Sequence, residues 1–186
     1  MNQKGFTLVE LAIVLVIIGV ILGGVIKGQE LVTNAKVKGV YREYQQVEFA
    51  NFGYYDRYNR YPGDTDEDGA IEIAEADGDD AVDDPNGTLA FWSEVRADGF
   101  YKDGDTGTTL PTHALGGNIT IVNGAFGMTG NCVCFDNIDG RDANIIDAQF
   151  DDGAGDTGII RAGTDTATDV ADPQTGTDYF VCIDMD

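Results

Sequence analysis

The 186-residue chain carries 33 acidic residues against 11 basic ones, a formal net charge of −22. That balance argues against nucleic acid as a partner, because a phosphate backbone is bound by neutralising Lys and Arg, and 42% apolar residues is too many for a disordered acidic tail. The mean conceals a split: residues 1–60 hold 7 basic and 5 acidic side chains, residues 61–186 hold 4 and 28.

The first element follows a short polar leader, Met1–Gly5. From Phe6 to Ile26 there are 21 residues with a single charge, Glu10. At 1.5 Å per residue this is roughly 30 Å of helix, the thickness of a bilayer's hydrocarbon core. A secretory signal peptide has a shorter apolar region and a small-residue cleavage site after it; here Lys27 opens a further helical stretch instead. Residues 6–26 are therefore expected to reside in a membrane. A carboxylate within such a segment costs about 3 kcal/mol and marks function.

Lys4-Gly5 followed by Phe6-Thr7-Leu8-Val9-Glu10 and the apolar run resembles the class III signal of type IV pilins and type II secretion pseudopilins. The resemblance implies cleavage by a prepilin peptidase between Gly5 and Phe6, then N-methylation of the new Phe6 amine. It also implies a partner for Glu10, the positive amine of Phe6 on a neighbouring subunit, since a buried carboxylate is tolerable when paired and severely unfavourable alone. The further partners implied are an inner-membrane assembly platform and further copies of the chain in a homopolymer. Storage in the inner membrane, then an extracellular pilus or a periplasmic pseudopilus, is the implied location.

Beyond Lys27, apolar residues fall at Val37, Val40, Tyr41, Tyr44, Val47, Ala50, Tyr54, Tyr55 and Tyr58. That spacing predicts an amphipathic continuation, giving one helix from Phe6 to Tyr58, roughly 80 Å long. Pro62-Gly63 stops it. Gly19, Gly23, Gly24 and Gly28 suit close helix packing of the small-xxx-small kind, or a stretch that melts on entering a filament. The aromatics Tyr41, Tyr44, Phe49, Phe52, Tyr54, Tyr55 and Tyr58 read as the seam between helix and head, in preference to a conducting stack.

Residues 64–75, DTDEDGAIEIAE, fill the ligand slots of a twelve-residue calcium loop: Asp64, Asp66, Asp68, the Ala70 carbonyl, Glu72 and Glu75, with Gly69 at the sixth position for the sharp turn. Hard carboxylate oxygens on a flexible loop suit Ca²⁺ better than Mg²⁺, so one structural calcium is expected. The acidic stretch 77–87 lacks this pattern and reads as a solvated loop. Residues 88–104 read as a short helix with Leu89, Phe91, Trp92 and Val95 on one side, ended by Gly99.

The remainder reads as strands at 119–122, 132–135, 157–162 and 179–184, separated by Gly, Asn and Asp turns. Together with the helix these predict an α+β fold, a pilin-like lollipop whose long N-terminal helix packs its C-terminal half on an antiparallel β-sheet head. The expected organisation is a cleaved leader at 1–5, a transmembrane or filament-core helix at 6–26, its amphipathic continuation at 27–61 and an acidic head at 62–186. Cys132 and Cys134 lie two apart on one strand, on one face, and are not placed to bond each other. An exported head of this family implies a disulfide from Cys182 to Cys132 or Cys134, clamping the C-terminal part of the chain.

The chain has one histidine, His113, no Gly-rich phosphate loop after a strand and no Gly-x-Ser-x-Gly. The cysteines and His113 have no zinc-ligand spacing. An enzyme is therefore not expected. The expected function is a structural subunit of a type IV pilus or related filament. The alternatives are a type II secretion pseudopilin and a calcium-dependent adhesive module tethered by one membrane helix.

Overall fold

A computed structural model of the protein describes residues 7–64, 69–71, 85–105 and 109–185. The chain is α+β: a 51-residue helix α1 (Leu8–Tyr58) precedes a four-stranded antiparallel sheet, with two shorter helices between and among the strands. It divides into two compact units, Met1–Lys36 and Val37–Asp186.

In the first unit, α1 is apolar and uncovered. Its most hydrophobic 18-residue window has a mean hydropathy of 2.9, and none of that window is buried within the chain. Leu8, Leu15, Val16 and Val20 all expose two thirds or more of their surface. By length and composition this helix can cross a membrane. Gly19, Gly23, Gly24 and Gly28 lie within the helix, and a Cβ at any of them would meet nothing within 4 Å.

In the second unit, the remaining turns of α1 bury Val37, Val40, Tyr44, Val47, Ala50 and Tyr54, at the three-and-four spacing of a single face. Gly39 lies on the same face; a Cβ there would sit 2.8 Å from that of Ala114, so the close approach of α1 to residues 109–117 requires glycine. Ala114 N–H donates to Glu43 Oε2 at 3.1 Å across this approach, and burial pushes the Glu43 carboxyl above its ordinary range. The aromatic seam is narrower than its sequence run. Tyr44 and Tyr54 are buried and Tyr41 stacks on Phe150 at 3.9 Å, but Phe49, Phe52, Tyr55 and Tyr58 are exposed. At 100° per residue Phe49 and Phe52 fall well off the Val47–Ala50–Tyr54 face and Tyr55 lies beside it, whereas Tyr58 lies in line with it at the last residue of α1.

Helix α2 (Pro85–Ala97) starts earlier than the expected residue 88 and ends just before Gly99, the expected stop. Proline is tolerated at its first position because the missing N–H would have no intrahelical acceptor there. Its end is a Schellman motif: Gly99, at φ 77°, donates to the Arg96 carbonyl at 3.1 Å and Phe100 N–H donates to the Val95 carbonyl at 2.9 Å. Phe91, Trp92 and Val95 are fully buried, and each such side chain contributes about 1.5–3 kcal/mol by leaving water. At the other edge of α2, Glu94 forms a bidentate pair with Arg60 at 2.9 and 3.0 Å and accepts from Gly63 N–H at 3.1 Å. Partial burial opposes ionisation of Glu94, but these donors and Tyr54 outweigh it and hold the carboxyl below its ordinary range. Burial and Glu94 in turn push the Tyr54 phenol up to about 12.

The sheet runs β1–β2–β4–β3, with β1 (Ile119–Asn123), β2 (Asn131–Asp139), β3 (Ile160–Gly163) and β4 (Asp178–Asp184) all antiparallel. The period of two splits its residues between two clusters. Ile119, Ile121, Val133, Phe135, Ile160, Val181 and Ile183 join the core that holds α1 and α2. Cys132, Cys134 and Cys182 join Ala125, Phe126 and Met128 in a second cluster. β3 begins at Ile160, not at 157; residues 156–159 turn, with Gly158 at φ 74°.

Helix α3 (Gly140–Phe150) stands where no helix was expected. Asp139 caps it, its side chain accepting from Arg141 N–H at 2.9 Å. Ala143 and Ile146 face the core. The i, i+3 pair and the Asp cap were legible, but Gly140 and three polar residues in the first six dilute the pattern.

Candidate functional site

Thr7 and Glu10 build the start of α1. Thr7 N–H and the Thr7 hydroxyl both donate to Glu10 Oε2 at 2.8 Å, and Glu10 N–H donates back to Thr7 Oγ1 at 3.3 Å. This is a capping box, Thr-x-x-Glu, in which each side chain satisfies a backbone donor at the helix end. The motif stands in the sequence as Thr7-Leu8-Val9-Glu10, and a reading centred on the membrane cost of Glu10 passes over it. Glu10 therefore has partners within its own helix. It is also the one charge between Phe6 and Ile26, on an otherwise uncovered apolar helix. Gly5 and Phe6, the expected processing residues, lie outside the described residues.

Of the expected calcium loop, Asp64, Gly69, Ala70 and Ile71 are described, whereas Asp66, Asp68, Glu72 and Glu75 lie outside the described residues. Asp64 is buried and its Oδ2 accepts from Gly69 N–H at 3.1 Å. Gly69 has φ 99°, a backbone conformation that favours glycine. Asn131 on β2 fastens the second half of the segment: Ile71 N–H donates to its Oδ1 at 2.9 Å and its Nδ2 donates to the Gly69 carbonyl at 2.9 Å. Ile71 is buried in the main core.

Cys134 and Cys182 form a disulfide between directly opposed residues of β2 and β4, with Cα atoms 4.0 Å apart. Cys132 is buried opposite Asp184, outside the disulfide. His113 sits against Phe135, rings at 5.6 Å, with Nε2 2.8 Å from the Asp136 carbonyl, to which it donates when Nδ1 accepts from Leu115 N–H. Burial lowers its pKa below the ordinary histidine value. The disulfide engages two of the three sulfurs.

Residues 1–26 match the family model described as the prokaryotic N-terminal methylation motif. The chain carries the signature of type IV pilins and pseudopilins. No curated protein and no solved structure matches the chain. The motif implies processing by a prepilin peptidase and, in general terms, polymerisation. With the apolar helix it fits a membrane-anchored precursor that later enters a filament, and it points to a structural subunit.

Proposed function

We propose that the protein is a structural subunit of a type IV pilus or pilus-like filament. It is held in the inner membrane through residues 6–26, cleaved after Gly5, methylated on Phe6 and delivered to an assembly platform that polymerises it through its N-terminal helix. The observation that carries this reading is the methylation motif over residues 1–26, continued by an apolar helix whose one charge is Glu10. In the membrane the capping box with Thr7 holds the Glu10 carboxylate. In the filament the Phe6 amine of a neighbouring copy neutralises it, and apolar side chains that no other described part of the chain covers become the polymer core. The glycines at 19, 23, 24 and 28, where an added Cβ would meet no other described part of the chain within 4 Å, suit close approach of those helices.

The acidic residues of 61–186 then repeat along the polymer, where like charge keeps filaments apart and makes their bundling sensitive to salt and divalent ions. One Ca²⁺ at residues 64–75 offsets part of that charge. Asp64 and Gly69 support this assignment, since a first-position carboxylate bonded to the sixth-position N–H and a left-handed glycine suit a calcium loop.

Electron microscopy of material sheared from the surface of cells making the protein tests the pilus reading. Long filaments containing this chain are expected. Processed chain confined to the membrane fraction, with no sheared filaments, points instead to a pseudopilus of a secretion system.

A further inference from the structure

A second group of carboxylates lies far along the chain from residues 64–75. Asp147 is in the last turn of α3, Asp151 follows the helix and Asp152 begins the loop to β3; one oxygen from each lies within 4.8 Å of the others. Asp147 is 4% exposed. Its Oδ1 accepts from Gly153 N–H at 2.6 Å and Ala154 N–H lies near the same carboxyl, whereas its Oδ2 is enclosed and meets no hydrogen-bond partner within bonding geometry among the described residues. Asp151 Oδ2 accepts from Ile160 N–H at 2.8 Å. Asp152 accepts from Ala154 N–H at 3.0 Å and from the Thr157 hydroxyl at 2.6 Å. None of the three forms an ion pair with a Lys, Arg or His among the described residues.

Three carboxylates are thus gathered at the C-terminal end of a helix, where the macrodipole is negative and favours a cation. The last turn of α3 holds no basic residue. A buried carboxylate oxygen left without a donor is costly. A hard cation removes the unpaired oxygen, the mutual repulsion and the dipole mismatch together. We propose that Asp147, Asp151 and Asp152 bind a divalent cation, Ca²⁺, at the junction of α3 and β3.

Carboxylate oxygens presented by a helix end and the loop after it suit Ca²⁺, which accepts irregular geometry, better than Mg²⁺, which demands a near-ideal octahedron. Exposed Asp152 leaves a path for the ion and for the water that completes its six to eight ligands. The ion would tie the end of α3 to the strand that follows. It would also steady Phe150, which stacks on Tyr41 of α1.

Calorimetric titration of CaCl₂ into the full chain in detergent, after chelator treatment, tests the site. The background is Asp66→Ala/Asp68→Ala, which removes the calcium loop and spares the Asp64–Gly69 bond. One Ca²⁺ per chain is expected to remain in that background, with affinity falling at least tenfold on adding Asp147→Asn and similarly on adding Asp152→Asn. Mg²⁺ should bind much more weakly. Asp152 is exposed, so its variant keeps the test valid if Asp147→Asn does not fold. No calcium uptake at millimolar concentration in the background, or uptake unchanged in both added variants, overturns the proposal; a protonated Asp147 gives the first result.

Discussion

Glu10→Val is expected to leave the precursor inserted in the membrane and to abolish filaments, while Glu10→Gln separates the two roles of that side chain. Glutamine completes a capping box as glutamate does, but it carries no charge for a Phe6 amine. Thr7→Ala makes the opposite change: it removes the hydroxyl that bonds Glu10 at 2.8 Å and keeps the carboxylate. If charge pairing between subunits drives assembly, Glu10→Gln fails to assemble and Thr7→Ala assembles with filament yield reduced a few-fold at most. If the cap alone matters, the order is reversed. Loss of a cap costs about 1 kcal/mol, and a buried charge left without its partner costs about 3–5 kcal/mol. The second effect is large enough to stop polymerisation and the first is not. Sheared filament yield, normalised to membrane-inserted precursor, reads the outcome.

Cys182→Ser has the largest expected effect on the folded unit. The Cys134–Cys182 bond spans 48 residues of sequence, and a cross-link of that span stabilises by about 4 kcal/mol in the chain-entropy account. For a unit of this size the melting temperature should fall by roughly 10 °C. Cys182→Ser is the cleaner variant because both remaining thiols then lie on β2, two residues apart, and cannot cross-link that strand to β4. Cys132→Ala, at a buried thiol outside the disulfide, should cost about 1 kcal/mol, chiefly by cavity formation. Thermal unfolding with and without reductant checks both. A wild-type melting temperature that ignores reductant, or equal losses in the two variants, contradicts the assignment.

The elements most legible in the sequence were those whose period is uninterrupted. Val37, Val40, Tyr44, Val47 and Tyr54 announce one helix face, and they are buried as a face. The runs at 119–122, 132–135 and 179–184 carry β-branched and aromatic residues between turns, and each is a strand. Helix α3 was hidden because its apolar face is short and its ends are acidic, so residues 139–152 resemble the neighbouring loops. The cysteine pairing was undecidable from spacing, since Cys132 and Cys134 share a face and only the register of β2 on β4 puts Cys134 opposite Cys182. Asp147 is one of many aspartates until the fold buries it. At the N-terminus the reverse holds: the motif is legible in residues 4–10 alone, and the structure adds the bonds by which Thr7 holds Glu10.

The central claim is that this chain is processed as a pilin-type subunit. Intact mass and N-terminal fragment spectrometry of the chain, purified from cells with and without a prepilin peptidase, tests it most directly. With the peptidase, the account predicts a chain beginning at Phe6 and carrying one added methyl group on its amine; without it, the leader through Gly5 remains. A chain that still begins at Met1 in the presence of the peptidase, and functions so, contradicts the account and favours a tethered surface module.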